Sequence, residues 1–198
     1  MKKIGLFFGS FNPIHIGHLI LANYILENSD MDELWFVVSP QNPFKEKKSL
    51  LKDHNRLDMV QLAVKNYPQM RASNVEFSLP TPSYTIDTLT YLQEKHPDYS
   101  FSLIMGEDNL NGLHKWKNSD ILIKNHHIIV YPRVFEGDTS TSLSVSQYLQ
   151  HENISMIKAP VIELSATEIR NMIKERKNVR PMLPPEVFEY LDGSSFYK

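Results

Sequence analysis

One stretch near the start of the chain limits the folds open to it more than any other. Residues 3–8 are a short apolar run typical of a buried strand in a parallel sheet, and residues 19–27 have helical length and periodicity. The stretch between them, residues 9–19, reads Gly-Ser-Phe-Asn-Pro-Ile-His-Ile-Gly-His-Leu and is a strand-to-helix turn. In open parallel sheets, ligands bind at such turns, outside the carboxyl ends of the strands. We therefore expect an α/β fold with a ligand site at this turn.

The residue types in the turn favour a ligand that carries phosphate. Gly9 permits a sharp turn or a close approach to a ligand. His15 and His18 are three residues apart, so they project from one face of a first helical turn, and Gly17 between them adds no side chain. Free N–H groups and the positive dipole end at a helix start attract phosphate. A zinc site is the weaker alternative, because the chain has no cysteine and the turn has no acidic third ligand.

Apolar runs and capping residues predict the remaining elements. Strands are expected at residues 33–39, 71–77, 101–105, 128–133 and 161–164, and helices after Asp53, after residues 83–85, after Ser165 and over residues 183–191. Asp53, Ser83 or Thr85, and Ser165 are the expected helix caps, the last in a capping box with Glu168. Residues 136–146 have no periodicity and are expected to form an exposed loop.

Composition sets the class of protein rather than its chemistry. The 198 residues, 41% of them hydrophobic, suit a single domain over 1–198, with residues 165–191 as a small C-terminal helical part. A formal net charge of −2 gives no reason to expect nucleic-acid binding. The absence of cysteine fits a reducing compartment. With no signal peptide and no membrane-spanning run, we expect a cytoplasmic protein without a membrane partner.

The histidine turn resembles the (H/T)xGH signature of the nucleotidyltransferase superfamily, and its frame is similar to that of small adenylyltransferases and cytidylyltransferases. The resemblance implies a Rossmann-like, doubly wound parallel sheet in three α/β/α layers. Residues 82–89, Pro-Ser-Tyr-Thr-Ile-Asp-Thr-Leu, resemble the pyridine-nucleotide segment of the nicotinate-nucleotide adenylyltransferases. Residues 39–45 are similar to that family's phosphate loop, and residues 165–170, Ser-Ala-Thr-Glu-Ile-Arg, to its second phosphate motif. Ala166 stands where many members have serine, and Ser10 and Asn12 also depart from the commoner residues.

The resemblance implies adenylyl transfer from ATP to nicotinate mononucleotide, and it assigns roles to residues of this chain. The implied catalytic residues are His15, His18, Lys45 and Arg170. The implied ATP-binding residues are Gly9, Ser10, Phe11, His15, His18, Gly106, Asp108, Arg133, Ser165, Thr167 and Arg170. The implied nicotinate-mononucleotide-binding residues are Ser39, Lys45, Tyr84, Thr85 and Trp116. Mg²⁺ is expected to arrive with ATP, bound by phosphate and water, without a metal site in the protein.

Several alternatives stay open at this stage. The acceptor could be the amide, nicotinamide mononucleotide, or another small phosphate such as phosphopantetheine, although the segment at residues 82–89 disfavours the latter. A nucleotide sensor that has lost catalysis is a different class of function, but it should lack one of His15, His18, Lys45 or Arg170, and this chain retains all four. The sequence also leaves open the oligomeric state, including a homo-oligomer.

Overall fold

The strands of the chain form one parallel sheet in a computed structural model that describes residues 1–40, 50–133 and 148–198. The described residues contain six strands: β1 (Lys2–Gly9), β2 (Glu33–Val38), β3 (Met70–Ser73), β4 (Tyr99–Gly106), β5 (Ile128–Tyr131) and β6 (Ile154–Met156). Their order across the sheet is β3-β2-β1-β4-β5-β6, and every neighbouring pair is parallel. This is the doubly wound order expected from the resemblance, in which the chain changes direction between β1 and β4.

Helices cover both faces of the sheet. The α-helices among the described residues are α1 (Ile16–Glu27), α2 (Asp53–Val64), α3 (Thr85–Lys95), α4 (Glu107–Asn111), α5 (Ser119–Asn125), α6 (Ala166–Lys174) and α7 (Pro185–Asp192). Side chains alternate along β2, so that Leu34 and Phe36 enter the core shared with α1, α2, α6 and α7. Trp35 and Val37 enter the core shared with α3, α4 and α5. The predicted three-layer α/β/α architecture is confirmed.

Two predicted strands are wrong in their bounds or position. The strand expected at 71–77 ends at Ser73, and Val75–Ser78 forms a 3-10 turn that buries Glu76. The last strand is not at 161–164 but at Ile154–Met156, which pairs with β5. Residues 161–164 follow Pro160 and line a cavity, and Val161 is 48% exposed. These apolar side chains therefore form part of the cavity wall instead of packing in the sheet.

Helix starts also differ from the sequence expectation by a residue or more. Helix α1 begins at Ile16 instead of Leu19, with His15 at its N-cap position. The N-cap of α2 is Lys52 instead of Asp53, and that of α3 is Tyr84 instead of Ser83 or Thr85. Capping by Ser165 is confirmed, because its Oγ accepts a hydrogen bond from the backbone N–H of Glu168 at 3.1 Å.

Two further observations bear on the sequence expectations. No helix within the described ranges has both the length and the apolar character needed to cross a membrane. The loop expected at residues 136–146 lies outside the described residues.

Candidate active site

A single cavity of about 1060 Å³ opens at the carboxyl edge of the sheet, where β1 and β4 meet. All but one of the site residues predicted from the sequence line it: Gly9, Ser10, Phe11, His15, His18, Ser39, Tyr84, Thr85, Gly106, Asp108, Trp116, Arg133, Ser165, Thr167 and Arg170. Lys45 lies outside the described residues. We call the wall formed by His15, His18 and Arg170 the histidine side, and the wall formed by Tyr84, Thr85 and Trp116 the tryptophan side.

The two imidazoles of the histidine side lie against each other. Their ring centroids are 3.8 Å apart, with an angle of 31° between the planes. The backbone N–H of His15 donates to Nδ1 of His18 at 3.2 Å. Because Nδ1 of His18 accepts this bond, the proton of the neutral imidazole is on Nε2, which is then the donor available to a ligand. Edge contacts from Phe11 (5.2 Å) and Phe7 (6.1 Å) to the His18 ring fix its orientation.

Burial makes both histidines neutral at neutral pH. It lowers the pKa of His15 to about 4, and the positive charge of Arg133 adds to this effect. Burial also lowers the pKa of His18 well below its ordinary value, with smaller contributions from His15 and Arg133. The histidine side therefore offers neutral imidazole donors instead of imidazolium cations.

Glycines in the site make room for neighbouring side chains. A Cβ at Gly9 would lie 2.7 Å from Cζ of Phe11, so the missing side chain lets the Phe11 ring pack beneath the turn. At Gly106 a Cβ would clash with Oδ1 of Asp108 and lie 2.9 Å from Cδ of Arg133. The groups that approach these two glycines closely are therefore side chains of the chain itself.

Two arginines donate hydrogen bonds to the backbone of the histidine turn. Arg56 is fully buried, and its Nη1 donates to the carbonyls of Ser10 (2.6 Å) and Ser39 (2.9 Å). It also forms an ion pair with Asp53 at 2.6 Å. Arg170 reaches the same turn from α6, donating through Nη1 to the carbonyl of Asn12 at 2.8 Å.

The start of α6 completes the histidine side. Nη2 of Arg170 donates to Oγ1 of Thr167 at 3.1 Å, and the Oγ of Ser165 caps the helix. The predicted grouping of two hydroxyls, a helix start and a guanidinium is therefore present. Arg170 connects this group directly to the turn that carries the histidines.

An ion pair lies at the end of β4. Nη1 of Arg133 and Oδ2 of Asp108 are 2.8 Å apart. The other carboxylate oxygen, Oδ1 of Asp108, is buried with no hydrogen-bond partner among the described residues. A buried acceptor left in this state is an expected position for a ligand donor such as a ribose hydroxyl.

The tryptophan side rests on a buried carboxylate that sequence reasoning missed. Glu76, 2% exposed, accepts hydrogen bonds from Ser83 Oγ and Thr88 Oγ1, both at 2.9 Å. These two hydroxyls flank Tyr84 and Thr85 in the chain, so one carboxylate fixes both ends of the segment that lines the cavity. No signal in the sequence marks Glu76, because it falls within the stretch at 71–77 that predicts a strand.

An exposed ion pair lies at the edge of the tryptophan side. Nζ of Lys117 pairs with Asp87 at 2.8 Å and lies 4.9 Å from the ring centroid of Tyr84. This contact joins the residue after Trp116 to the first turn of α3. Trp116 itself is half-buried and packs against the core that α3 shares.

A metal site built from protein side chains alone is not evident. Among residues 1–40, 50–133 and 148–198, no group of three or more His, Cys, Asp or Glu is placed to hold a metal ion.

Comparison with known proteins gives a consistent assignment. A family model described as cytidylyltransferase-like matches residues 6–172. The chain is 55% identical over 196 residues to a probable nicotinate-nucleotide adenylyltransferase of Flavobacterium psychrophilum, covering 99% of both chains. It is 44% identical to the protein of the same name from Bacteroides thetaiotaomicron, over 96% of this chain and 90% of that one.

A solved structure shares the fold. It is nicotinic acid mononucleotide adenylyltransferase of Plasmodium falciparum complexed with NaAD, which matches with a TM-score of 0.79 at 22% identity, over 100% of this chain and 98% of that one. Sequence similarity over almost the full length, together with a cavity lined by the expected residues, leads to one conclusion. The chain belongs to the nicotinate-nucleotide adenylyltransferase family.

Proposed function

We propose that this protein transfers the adenylyl group of ATP to nicotinate mononucleotide, forming deamido-NAD and pyrophosphate. The observation that carries the proposal is the cavity itself. One wall consists of imidazole, hydroxyl and guanidinium groups, which suit phosphate, and another contains Tyr84, Thr85 and Trp116, and both line one continuous space. A volume of about 1060 Å³ is at the upper end of the range for ligand sites, as expected for two nucleotides bound together.

The reaction needs alignment more than it needs a strong base. An oxygen of the 5′-phosphate of the mononucleotide attacks the α-phosphorus of ATP, the bond from that phosphorus to the α,β-bridging oxygen breaks, and pyrophosphate leaves with the bonding electrons. The attacking phosphate is already an anion at neutral pH. Catalysis then consists of holding the two phosphates in line and stabilising the charge that develops on their oxygens.

In this proposal the histidine side binds the phosphates of ATP. Nε2–H of His18 donates to the α-phosphoryl oxygens, and His15 and Arg170 contact the triphosphate. Ser165 and Thr167 bind its β- and γ-phosphates from the start of α6. In the neutral state each imidazole keeps one N–H, and this N–H can donate to a phosphate oxygen.

The adenosine and the mononucleotide take the other walls. Gly106, Asp108 and Arg133 hold the adenosine, and the unpaired Oδ1 of Asp108 supports a hydrogen bond from a ribose hydroxyl. Trp116 stacks on the pyridine ring beside Tyr84 and Thr85. The positive dipole end of α3 lies at Thr85 and favours the carboxylate of nicotinate over the neutral amide.

The proposal includes two further components, Mg²⁺ and Lys45, and Lys45 lies outside the described residues. Lys45 would neutralise charge on the incoming phosphate. Mg²⁺ would arrive with ATP, bound mainly by phosphate oxygens and water, as its preference for hydrated octahedral sites predicts. A cytoplasmic location and the absence of a nucleic-acid partner stay predictions from composition.

The test is pyrophosphate release with MgATP and three acceptors: nicotinate mononucleotide, nicotinamide mononucleotide and phosphopantetheine. We expect the highest kcat/KM with nicotinate mononucleotide. Equal rates with the first two would replace the proposal by a dual-specificity enzyme. Release only with phosphopantetheine would refute the assignment of the tryptophan side, and ATP binding without any release would favour a sensor.

A further inference from the structure

The end of the described chain returns to the histidine turn. After α7, Tyr197 donates a hydrogen bond from its hydroxyl to Oδ1 of Asn12 at 2.6 Å, a contact between residues 185 positions apart. Tyr197 is half-buried, and Phe196 and Tyr197 pack against the core shared by α1, α2, α6 and α7. A residue so far along the chain has reached the turn that carries both histidines.

Tyr197 adopts a backbone conformation that the surrounding contacts must maintain. Its φ is +63°, in the left-handed region that side chains other than glycine rarely adopt. The preceding residues form a bonded turn, in which the backbone N–H of Phe196 donates to Oγ of Ser194 at 3.1 Å. The hydroxyl therefore reaches Asn12 from a fixed backbone.

Asn12, the acceptor of this hydroxyl, bonds to several parts of the chain. It is 2% exposed and lies three residues before His15. Its Oδ1 accepts from Tyr197 and also from the backbone N–H of Leu51 at 3.2 Å, while its carbonyl accepts from Arg170. One side-chain amide thus connects the histidine turn with Leu51 and Tyr197.

The hydroxyl of Tyr197 keeps its proton and can therefore always act as a hydrogen-bond donor. Burial raises the pKa of its hydroxyl, and the nearby charges of Arg170 and Arg56 oppose this only in part, so the proton stays on the oxygen at neutral pH. A short O–H···O bond to an amide oxygen is directional, which packing alone is not.

We propose that Tyr197 is a positioning residue for adenylyl transfer: its hydroxyl fixes Asn12 and, through it, the turn that places His15 and His18 against the phosphates. This inference rests on the proposed function. It assigns a role in the reaction to the segment after the last helix, which sequence reasoning left without chemistry. Because Tyr197 acts through Asn12, we expect it to affect turnover and leave substrate affinity nearly unchanged.

The test compares Tyr197→Phe with Tyr190→Phe in the full-length protein. Both changes remove one tyrosine hydroxyl, but that of Tyr190 bonds to Asp58 at 3.4 Å, outside the cavity. Pyrophosphate release with MgATP and nicotinate mononucleotide gives kcat and both KM values. Calorimetry with a non-hydrolysable ATP analogue gives the fraction of chains that bind nucleotide.

For Tyr197→Phe we expect kcat to fall about tenfold, below the roughly 100-fold loss that a 1 Å misplacement causes. Both KM values should change less than about twofold, since uniform binding is retained. Binding of the analogue at one per chain would show that the loss is not a loss of folded protein. Tyr190→Phe should keep the wild-type kcat. A variant truncated after Phe196 should lose at least as much turnover as Tyr197→Phe.

Two results would overturn the inference. One is a kcat for Tyr197→Phe equal to that of Tyr190→Phe. The other is a loss of kcat that matches the loss of nucleotide-binding chains, which would make Tyr197 merely structural. An inactive wild-type protein would instead refute the proposed function, so the two failures are distinguishable.

Discussion

The two sides of the cavity are supported in different ways. On the histidine side, the functional turn is held by charged donors, the guanidinium groups of Arg56 and Arg170, which bond to its backbone carbonyls. On the tryptophan side, the segment at 83–88 is held by neutral hydroxyls that donate to one buried carboxylate, Glu76. The histidine turn is therefore held through its backbone by two side chains, whereas the segment at 83–88 is held through its side chains by one. A substitution that disturbs one side of the cavity should therefore leave the function of the other side intact.

The largest effect should come from the histidine side. We expect His18→Ala to lower kcat about 100- to 1000-fold, the usual loss when one donor to developing charge is removed. Binding of ATP should change little, because the other phosphate contacts remain. His127→Ala, which changes an exposed histidine whose Nε2 lies 3.1 Å from Oγ of Ser155, is the matched control and should keep full turnover. Near wild-type kcat in His18→Ala would refute the mechanism.

The next effect should be confined to the tryptophan side. Glu76→Gln keeps the shape of the side chain but leaves one of the two hydroxyls without an acceptor. We expect KM for nicotinate mononucleotide to rise about tenfold, the equivalent of a hydrogen bond of about 1.4 kcal/mol, while KM for ATP stays unchanged. Glu94→Gln, at an exposed position on α3, the helix that carries Thr88, serves as the control. An equal rise in both KM values would show that the two sides are not independent.

The pH dependence of stability should also separate the two sides. The pKa of His15 is about 4 in the folded protein and near 6.5 in the unfolded chain, and that of His18 is lowered as well. Between these values the unfolded chain binds protons that the folded protein does not. The free energy of unfolding therefore decreases as the pH falls from 6.5 towards 4. Thermal unfolding should show Tm falling in this range.

A variant tests the origin of this slope. His15→Gln should flatten the dependence of Tm on pH, because one of the two groups no longer titrates. Thr85→Ala on the tryptophan side should keep the wild-type slope. If both variants behave alike, the slope arises elsewhere in the protein.

The smallest effect should come from the exposed pair on the tryptophan side. Lys117 and Asp87 have side chains 44% and 45% exposed, and such pairs contribute about 0.2–1 kcal/mol. We expect Lys117→Met to raise KM for nicotinate mononucleotide about twofold at low salt, and less than that at high salt because ions screen the pair. Steady-state kinetics at two salt concentrations measure this. A tenfold rise would give Lys117 a direct contact with the substrate.

The sequence predicted what depends on local pattern. Apolar runs predicted β1, β2, β4 and β5, and the spacing of His15 and His18 predicted that their rings share one face. The prediction of a strand at 161–164 was wrong, because apolar residues that line a cavity have the same sequence pattern as a strand. Strand β6 has only three residues, two of them exposed, so its pattern is too weak to find.

The residues that sequence reasoning missed all act through distant contacts. Glu76, Arg56 and Tyr197 form their bonds with residues that are brought close only by the tertiary fold. A buried glutamate or arginine has the same letter as an exposed one, and nothing local distinguishes them. The roles of the supporting residues therefore follow from the structure alone.

The hydrogen bond between Asn12 and Tyr197 also has a consequence for how the protein folds. It joins residues 185 positions apart, so it forms only once the sheet and the core between them have brought its two ends together. The entropy cost of such a non-local contact is met late in folding, because the intervening contacts must form first. The histidine turn should therefore gain this support among the last steps of folding.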